Sequence, residues 1–317
     1  MEWLLHYSEG MGVHLVVGAG ASGIATADLL AQRGESVRMV TRRGARANHP
    51  AVEAVAADAA DIQTLARLSR DADVIYNCAN PPYNRWLTDW PPLHASLLSA
   101  AERADAVLVS AATLYGYAPG REPMTEQTPL VGADAPAKLR LRADMWRDAL
   151  EAHQSGRVRV SEVRSSDILQ GTGIFSLAVA KQILAHRPAI VPVPLDQPHT
   201  FTSASDVARA LVTVASEPDA WGQAWHVPSP EPLSLRQVAT RFSTIAHEPL
   251  PRLLSIPYPL LWTAGLVVPL MRELRATRYQ WDRPFIMDST HFTDVFAISA
   301  TSWDDALRES ERLLRVA

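Results

Sequence analysis

The chain has 317 residues, of which 47% are hydrophobic and 20% are charged, and its formal net charge is -4. This composition is typical of a soluble globular protein, and the length allows two domains or one large interleaved α/β unit. The acidic balance and the lack of a basic stripe predict no nucleic-acid partner. A single cysteine, Cys78, excludes an intrachain disulfide and a thiolate zinc site, and the scattered histidines predict no metal site.

Residues 1–10 carry neither a basic region nor a long apolar core, so no signal peptide is predicted. The longest apolar stretch, residues 253–271, is interrupted by three prolines. Because a membrane span needs about twenty mostly apolar residues, we expect a buried or substrate-facing helix there and no membrane partner. Together these features predict a cytoplasmic protein.

The first two hundred residues alternate short β-branched runs with longer stretches rich in alanine and leucine. This alternation predicts βαβ units and an α/β fold with a doubly wound parallel Rossmann sheet. Predicted strands lie at residues 13–17, 36–40, 52–56, 73–77, 106–110 and 157–163. Predicted helices lie at residues 21–33, 62–69, 93–103 and 137–154.

Prolines divide the second half of the chain into shorter pieces. Helices are predicted at 205–216, 234–246 and 303–314, the last two with Ser234 and Ser302 as N-caps. The predicted domains are a dinucleotide-binding Rossmann domain and a smaller, interleaved C-terminal substrate-binding or lid domain. The first takes residues 1–165 with a returning segment 200–228, and the second takes 166–199 and 229–317. The second domain is expected to cover the carboxyl ends of the strands, where ligands of such sheets bind.

A glycine-rich string with the spacing G-x-G-x-x-G follows the first predicted strand and opens the first helix. In this context Gly18 permits a tight turn, Gly20 lets a pyrophosphate approach the backbone, and Gly23 lets helix and strand pack closely. Ala21 and Ser22 begin a helix whose free N–H groups face the phosphates. The alternative is a glycine-rich turn without a ligand.

The end of the second strand is the place where an acidic residue binds the ribose of NAD. Here the sequence reads Thr41-Arg42-Arg43, with no carboxylate. Two guanidinium groups suit a 2′-phosphate, which arginine binds in bidentate geometry. NADP(H) is therefore the predicted cofactor, and the alternative is that both arginines are merely solvated.

Several sequence pieces at the strand ends carry a family resemblance. They are Asp58, Asn77-Cys78-Ala79-Asn80-Pro81, Ser110-Ala111-Ala112-Thr113-Leu114-Tyr115-Gly116, Arg164-Ser165-Ser166-Asp167-Ile168-Leu169 and His199-Thr200-Phe201-Thr202. Over about residues 13 to 227, the chain resembles the extended short-chain dehydrogenase/reductases of the NAD-dependent epimerase/dehydratase type.

The resemblance implies further cofactor contacts. It places Asp58 and Ala59 beside the adenine, and it places a second group along the path to the nicotinamide. That group is Asn77, Ala79, Asn80 and Ser110. A turn aspartate is the alternative for Asp58.

The usual catalytic set of this family is absent. The position of the catalytic hydroxyl holds Ala111, and no tyrosine has a lysine four residues after it. The best register places Lys138 at the tyrosine position and Arg142 at the lysine position. These two residues, four apart, are expected on one helical face.

Lys138 is the first candidate for the proton donor. It and Lys181 are the only lysines, beside 28 arginines, and only lysine titrates usefully. The alternative is a solvated lysine in a first helical turn. The arginine bias, with abundant alanine, is typical of a bacterial genome rich in GC.

Other side chains are candidates for the substrate end of the site. Thr113 and Tyr115 follow the fifth strand and can orient or protonate a substrate oxygen. The remaining residues are predicted to line a substrate pocket, and they are Tyr83, Tyr117, Asp167, His199 and Trp281. An aromatic lid of this kind suggests a largely apolar substrate with a carbonyl or hydroxyl group.

These observations lead to three hypotheses. The first is an NADP(H)-dependent oxidoreductase of the carbonyl reductase or alcohol dehydrogenase type, with a nonstandard proton donor and a small organic substrate. The second is a redox-neutral epimerase or isomerase that retains NADP. The third is an NADP(H)-binding regulatory protein whose catalytic residues are lost. A homodimer through paired helices is common among relatives, although no exposed apolar stripe marks helices 93–103 and 137–154.

Overall fold

The structure is a computed structural model that describes residues 12–120, 122–264 and 278–316. The prediction for residues 1–10 and the end of the apolar stretch 253–271 lie outside the described residues. The strands are β1 (Val13–Val17), β2 (Ser36–Thr41), β3 (Glu53–Ala56), β4 (Ala72–Asn77), β5 (Val107–Thr113), β6 (Arg159–Ser165), β7 (Asp167–Ile168), β8 (Ala189–Val191), β9 (Phe201–Thr202), β10 (Ala224–His226) and β11 (Leu253–Ser255).

The helices alternate with these strands in the first half of the chain. They are α1 (Ala21–Gln32), α2 (Ile62–Leu68), α3 (Trp86–Ala104), α4 (Ala137–Gln154), α5 (Lys181–Leu184), α6 (Ala204–Ser216), α7 (Leu235–Ile245), α8 (Tyr258–Ala264), α9 (Thr290–Phe296) and α10 (Trp303–Val316). Among the described residues, no helix combines the length and apolar character needed to cross a membrane.

Seven strands form one parallel sheet in the order β10-β6-β5-β4-β1-β2-β3. Helices α1 and α6 cover one face, and α2, α3 and α4 cover the other. Strands such as β1 are rich in apolar residues because both faces of the sheet are covered by helices. The predicted doubly wound Rossmann sheet is confirmed. The strand order reverses between β1 and β4, which opens a crevice at the carboxyl edge.

Two boundaries differ from the predictions by three residues or more. Helix α3 begins at Trp86 rather than at residue 93, although Pro91 and Pro92 lie inside it. The two prolines remove backbone donors, whereas burial of Trp86 and Trp90 against the core stabilises the extra turns. Strand β5 continues to Thr113 rather than ending at 110, because it pairs with β6 along that whole length.

A separate apolar core forms from residues after Ser165. It contains Phe175, Phe242 and Trp303, and it lies among α5, α7 and α10. Ser234 caps α7 in a reciprocal capping box with Gln237, as the sequence predicts for its cap. The division of the chain into two domains at the stated boundaries stays a prediction.

Candidate functional site

The loop between β1 and α1 has the backbone that its glycines require. Gly18 has a φ of +106°, and a Cβ there would lie 2.7 Å from the Ala79 nitrogen. A Cβ on Gly23 would overlap the Gly18 carbonyl oxygen, which is why helix and strand can pack only with glycine here. Gly20 differs, because no atom lies within 4 Å of a Cβ built on it.

The amino end of α1 is open to an anion. Gly20 is the N-cap, no side chain caps the helix, and its first turn has no acidic residue. The first N–H groups, including those of Ala21 and Ser22, therefore remain available. The empty space in front of Gly20 is the kind of cradle that a phosphate fills, so these residues fit a dinucleotide.

The end of β2 presents two arginines to solvent. The Thr41 hydroxyl accepts a hydrogen bond of 2.7 Å from Ala45 and closes the turn. Arg42 and Arg43 are exposed, and neither makes an ion pair with any residue that the structure describes. Hydrogen bonds from Arg85 and Thr88, and after them the charge of Arg42, lower the pKa of Asp89, although no ion pair joins Arg42 to Asp89.

Asp58 and Ala59 follow β3. The Asp58 side chain is exposed and accepts a hydrogen bond of 3.0 Å from the Ala60 nitrogen, which is the turn interaction of the alternative interpretation. Ala59 is buried. Contact of either residue with adenine stays a prediction.

Asn77 and Ser110 lie side by side at the ends of β4 and β5. The Asn77 amide donates a hydrogen bond of 3.3 Å to the Ser110 hydroxyl, and its carbonyl oxygen accepts one from Ala79. Burial raises the pKa of the Cys78 thiol to about 12, so this cysteine stays protonated. Asn80 is exposed beside this group.

Lys138, at the start of α4, meets aromatic rings that follow β4 and β5. Its Nζ atom lies 4.0 Å from the centre of the Tyr83 ring, within cation–π distance. The rings of Tyr83 and Tyr115 both pack against Trp86. Burial, and secondarily the charge of Asp167, raise the pKa of Tyr115 well above its usual value, so this phenol keeps its proton.

Arg142 does not reach the surface on which Lys138 lies. Its guanidinium is 6% exposed and stacks 4.7 Å from the Trp90 ring, and its nearest carboxylate is Glu162, at 3.9 Å. The Trp86 ring lies on the same side, 6.0 Å from the guanidinium. The Arg142 side chain thus points into the interior beneath the sheet's edge, and its catalytic role stays a prediction.

Tyr117 is also buried rather than in a substrate pocket. Its hydroxyl accepts a hydrogen bond of 2.6 Å from Arg164 and lies 2.8 Å from His226 Nε2. His226 Nδ1 lies 2.6 Å from the Asp288 carbonyl oxygen and must donate to it, so Nε2 accepts the phenol proton. Loss of hydration raises the pKa of Tyr117 to about 12. The polar partners of Tyr117 lie in the interior, and contact of this residue with a substrate stays a prediction.

Thr113 faces the same interior. Its hydroxyl is buried with no hydrogen-bond partner among the described residues, and it borders a small cavity with Arg142 and Arg164. The catalytic role of Thr113 stays a prediction. Sequence reasoning missed the buried ion pair of Glu162 and Arg164, at 2.7 Å. The sequence signal for this ion pair was the presence of two opposite charges, Glu162 and Arg164, within one strand, β6, of the buried sheet. Buried charges need partners.

Asp167, His199 and Trp281 come together as predicted for one part of the site. Strand β7 pairs with β9, which brings Asp167 Oδ2 to 2.8 Å from His199 Nε2. The imidazole stacks on Trp281 at 4.1 Å between ring centres. His199 is buried, whereas the Asp167 side chain is 29% exposed. Contact of these residues with a substrate stays a prediction.

No group of three or more histidine, cysteine or carboxylate side chains suited to a metal ion occurs in residues 12–120, 122–264 and 278–316.

Comparison with known proteins adds sequence and fold relationships. The model of the NAD dependent epimerase/dehydratase family matches residues 14–227. No match was found among curated proteins.

Solved structures cover nearly the whole chain. The enzyme WbmH of Bordetella bronchiseptica, in complex with NAD+, is 18% identical with a TM-score of 0.72, over 97% of this chain and 99% of that chain. UDP-glucuronic acid 4-epimerase of Bacillus cereus, in complex with NAD, is 14% identical with a TM-score of 0.74, over 96% of each chain. Epimerase Mth375 of Methanothermobacter thermautotrophicus is 13% identical with a TM-score of 0.79, over 96% and 95%. At these identities the likeness shows the fold alone.

Proposed function

The chain belongs to the NAD-dependent epimerase/dehydratase family, and from this premise we propose that it is an NADP(H)-dependent oxidoreductase. Its substrate is a small, largely apolar organic molecule with a carbonyl or hydroxyl group. The observation that carries the cofactor choice is the pair Arg42 and Arg43, exposed at the end of β2 without an ion pair among the described residues. A ribose-binding acid would stand there in an NAD site.

Binding of the cofactor rests on backbone and charge. The open amino end of α1 binds the pyrophosphate, and the guanidinium groups of Arg42 and Arg43 bind the 2′-phosphate. Asp58 and Ala59 lie beside the adenine in this proposal. The bound nicotinamide would supply or accept the hydride.

The proton transfer is assigned to Lys138. Its ammonium group lies over the Tyr83 ring at the carboxyl edge, where Ala111 offers no hydroxyl. Lys138 gives a proton to the substrate oxygen during reduction and takes one back during oxidation. Tyr115, which stays a neutral phenol, donates a hydrogen bond to the same oxygen.

The substrate is held between the tyrosines and the Asp167 side of the crevice. The rings of Tyr83 and Tyr115 form one wall. Asp167, partly exposed and anchored by His199, forms the polar end of the other. Trp281 supports His199 from behind and excludes water from that wall.

The test of this function is calorimetric titration with NADPH and with NADH. We expect tighter binding of NADPH, and we expect the double variant Arg42→Ala/Arg43→Ala to lose about tenfold to a hundredfold of that affinity, with NADH binding unchanged. The matched control is Arg70→Ala/Arg187→Ala, which removes two exposed charges away from the crevice. Equal binding of both cofactors to the parent protein would contradict the proposal.

A second candidate is a redox-neutral epimerase that keeps NADP bound. It is favoured by the fold shared with UDP-glucuronic acid 4-epimerase and epimerase Mth375 over almost the whole chain. Purified protein that carries NADP and interconverts epimers without net NADPH consumption would favour this candidate over the reductase. Tight NADP(H) binding without turnover of any carbonyl substrate would instead indicate a regulatory protein, a role that Ala111 at the catalytic position permits.

A further inference from the structure

Two small cavities adjoin beneath the nicotinamide end of the crevice, between the sheet and helices α3 and α4. One is bordered by Asn77, His94 and Ser110, and the other by Thr113. Both are also lined by Arg142 and Glu162. The two cavities therefore share one buried guanidinium and one buried carboxylate.

Arg142 brings donors to this space without finding an oxygen acceptor. Its single hydrogen bond to any residue that the structure describes goes to the Met145 sulfur at 3.6 Å, and the Glu162 carboxylate lies 3.9 Å away. That carboxylate already accepts a hydrogen bond of 2.7 Å from Arg164. A buried guanidinium has five N–H groups that normally meet oxygen acceptors. The missing acceptor belongs in the cavity.

The charges around the cavity do not balance. Arg142 and Arg164 bring two positive charges, and Glu162 brings one negative charge, and all three residues are buried. Burial, and secondarily the charge of Arg142, lower the pKa of His94 to about 4, so it is neutral at pH 7. Glu126, a half-buried carboxylate near Tyr117 and His226, accepts a hydrogen bond from the His226 backbone nitrogen rather than from either arginine. The three buried groups therefore carry one excess positive charge, which is costly in an interior.

Other polar groups around the cavities also lack hydrogen-bond partners. His94 Nε2 and Thr113 Oγ1 are buried without a partner among the described residues. The Ser110 hydroxyl accepts a hydrogen bond from Asn77, which leaves its own proton to donate. The Ser110 and Thr113 hydroxyls, and His94 in its Nε2–H tautomer, can all donate to an acceptor in the cavity.

We propose that this internal cavity binds a small monovalent anion of chloride size, held by the Arg142 guanidinium, the Ser110 hydroxyl and His94 Nε2–H. The anion supplies the counter-charge that the protein lacks and the acceptor that these three donors share. It lies below Asn77 and Ser110, and it orients the Ser110 hydroxyl away from the cofactor path. This site is separate from the phosphate-binding end of α1, and its existence does not depend on the proposed oxidoreductase function.

The first test is crystallographic and uses bromide as the probe. Crystals of the full chain, without cofactor, are grown in sodium bromide and measured at the bromine absorption edge. We expect an anomalous peak in the cavity, in contact with the Arg142 guanidinium. Bromide only on the protein surface, with water molecules in the cavity, would overturn the proposal, since water would then satisfy the donors.

The second test is thermal unfolding in sodium chloride against sodium gluconate at constant ionic strength. Once the site is saturated, we expect Tm to rise by about 2 to 4 °C for each tenfold rise in chloride, because binding to the folded state stabilises it by mass action. Arg142→Met removes the charge with similar bulk and is expected to abolish this dependence. The control Arg70→Met changes an exposed arginine and is expected to keep it.

Two further variants distinguish chloride binding in the cavity from chloride binding at the phosphate end. Arg42→Ala/Arg43→Ala is expected to retain the chloride dependence, because those residues lie at the phosphate end. Ser110→Ala is expected to weaken it without loss of the fold, which keeps the test informative if Arg142→Met does not fold. A Tm of the parent protein that is equal in chloride and gluconate would refute the anion site.

Discussion

The two ends of the crevice differ in the chemical groups that form them. We call them the phosphate end and the nicotinamide end, after the parts of the cofactor that each is proposed to bind. The phosphate end consists of backbone, namely the loop Gly18 to Gly23 and the open amino end of α1. The nicotinamide end consists of side chains from separate segments, such as Asn77, Ser110 and Lys138. A backbone site needs glycine at fixed places within one short string. A side-chain site is assembled from residues that lie far apart in the sequence.

The largest expected effect concerns the side-chain end. Lys138→Ala is expected to lower kcat by about a hundredfold to ten-thousandfold, since it removes the proposed proton donor. The KM for NADPH is expected to stay unchanged, because the phosphate end does not involve Lys138. Initial rates of NADPH oxidation with a panel of carbonyl substrates measure both quantities.

Two variants control for charge and for general disturbance. Lys138→Arg keeps a cation over the Tyr83 ring and is expected to remain inactive, because arginine does not titrate in this range. Lys181→Ala removes the other lysine, which is exposed on α5, and is expected to be fully active. If Lys138→Ala keeps half of the parent activity or more, the donor is another residue.

The next effect concerns the backbone end and contrasts two of its glycines. Gly23→Ala would force a Cβ against the Gly18 carbonyl oxygen, and we expect a loss of about 3 kcal/mol in the free energy of unfolding. Gly20→Ala meets no atom within 4 Å and is expected to change that free energy by only a few tenths of a kcal/mol. Urea denaturation measures both.

The variant Gly20→Ala also tests whether the pyrophosphate binds at the loop between β1 and α1. The Cβ of Gly20→Ala would occupy the space into which the pyrophosphate fits, so NADPH affinity is expected to fall about tenfold in a protein of normal stability. Calorimetric titration measures this change. Unaltered NADPH affinity of Gly20→Ala would place the pyrophosphate elsewhere.

A further expected effect is the response of the folded protein to acid, through His94 in the cavity below the side-chain end. His94 has a folded-state pKa of about 4, lowered by burial and by Arg142, against its usual 6.5. The unfolded chain therefore takes up a proton between these values, and stability that is present above pH 6.5 is lost as pH falls toward 4. At pH 5 the loss due to His94 is about 2 kcal/mol.

Urea denaturation at pH 7 and pH 5 in gluconate buffer measures this loss. His94→Gln is expected to reduce the difference between the two pH values by most of that amount. His247→Asn is the control, because His247 is exposed and its left-handed backbone accepts asparagine. An acid response that is identical in His94→Gln and the parent chain would show that other groups cause it.

The close packing of the loop between β1 and α1 could be predicted from the sequence, since Gly18 and Gly23 leave space that a Cβ would fill. Its binding of a phosphate stays a prediction. The side-chain end could be predicted only in part. Spacing places Lys138 and Arg142 on one side of α4, but it does not show that Trp90 and Glu162 draw Arg142 inward. These partners come from other elements, so the direction of a side chain depends on contacts that no local pattern contains.

The same limit explains the element boundaries. Strand β5 outlasts its apolar run because it pairs with β6 up to Thr113, and α3 starts early because Trp86 and Trp90 are buried. In both places the element boundary is set by strand pairing or burial between distant residues, and not by the local sequence pattern. Asp167 and His199 are 32 residues apart and meet only because β7 pairs with β9.

That short ladder has a mechanical consequence. The chain leaves the main sheet through Asp167–Ile168 and comes back through Phe201–Thr202, and these two passages are hydrogen-bonded in parallel. The residues between these two passages are therefore joined to the main sheet by two strands that are hydrogen-bonded to each other. Because the pairing joins the outgoing and returning strands, we expect the two passages to move together rather than independently.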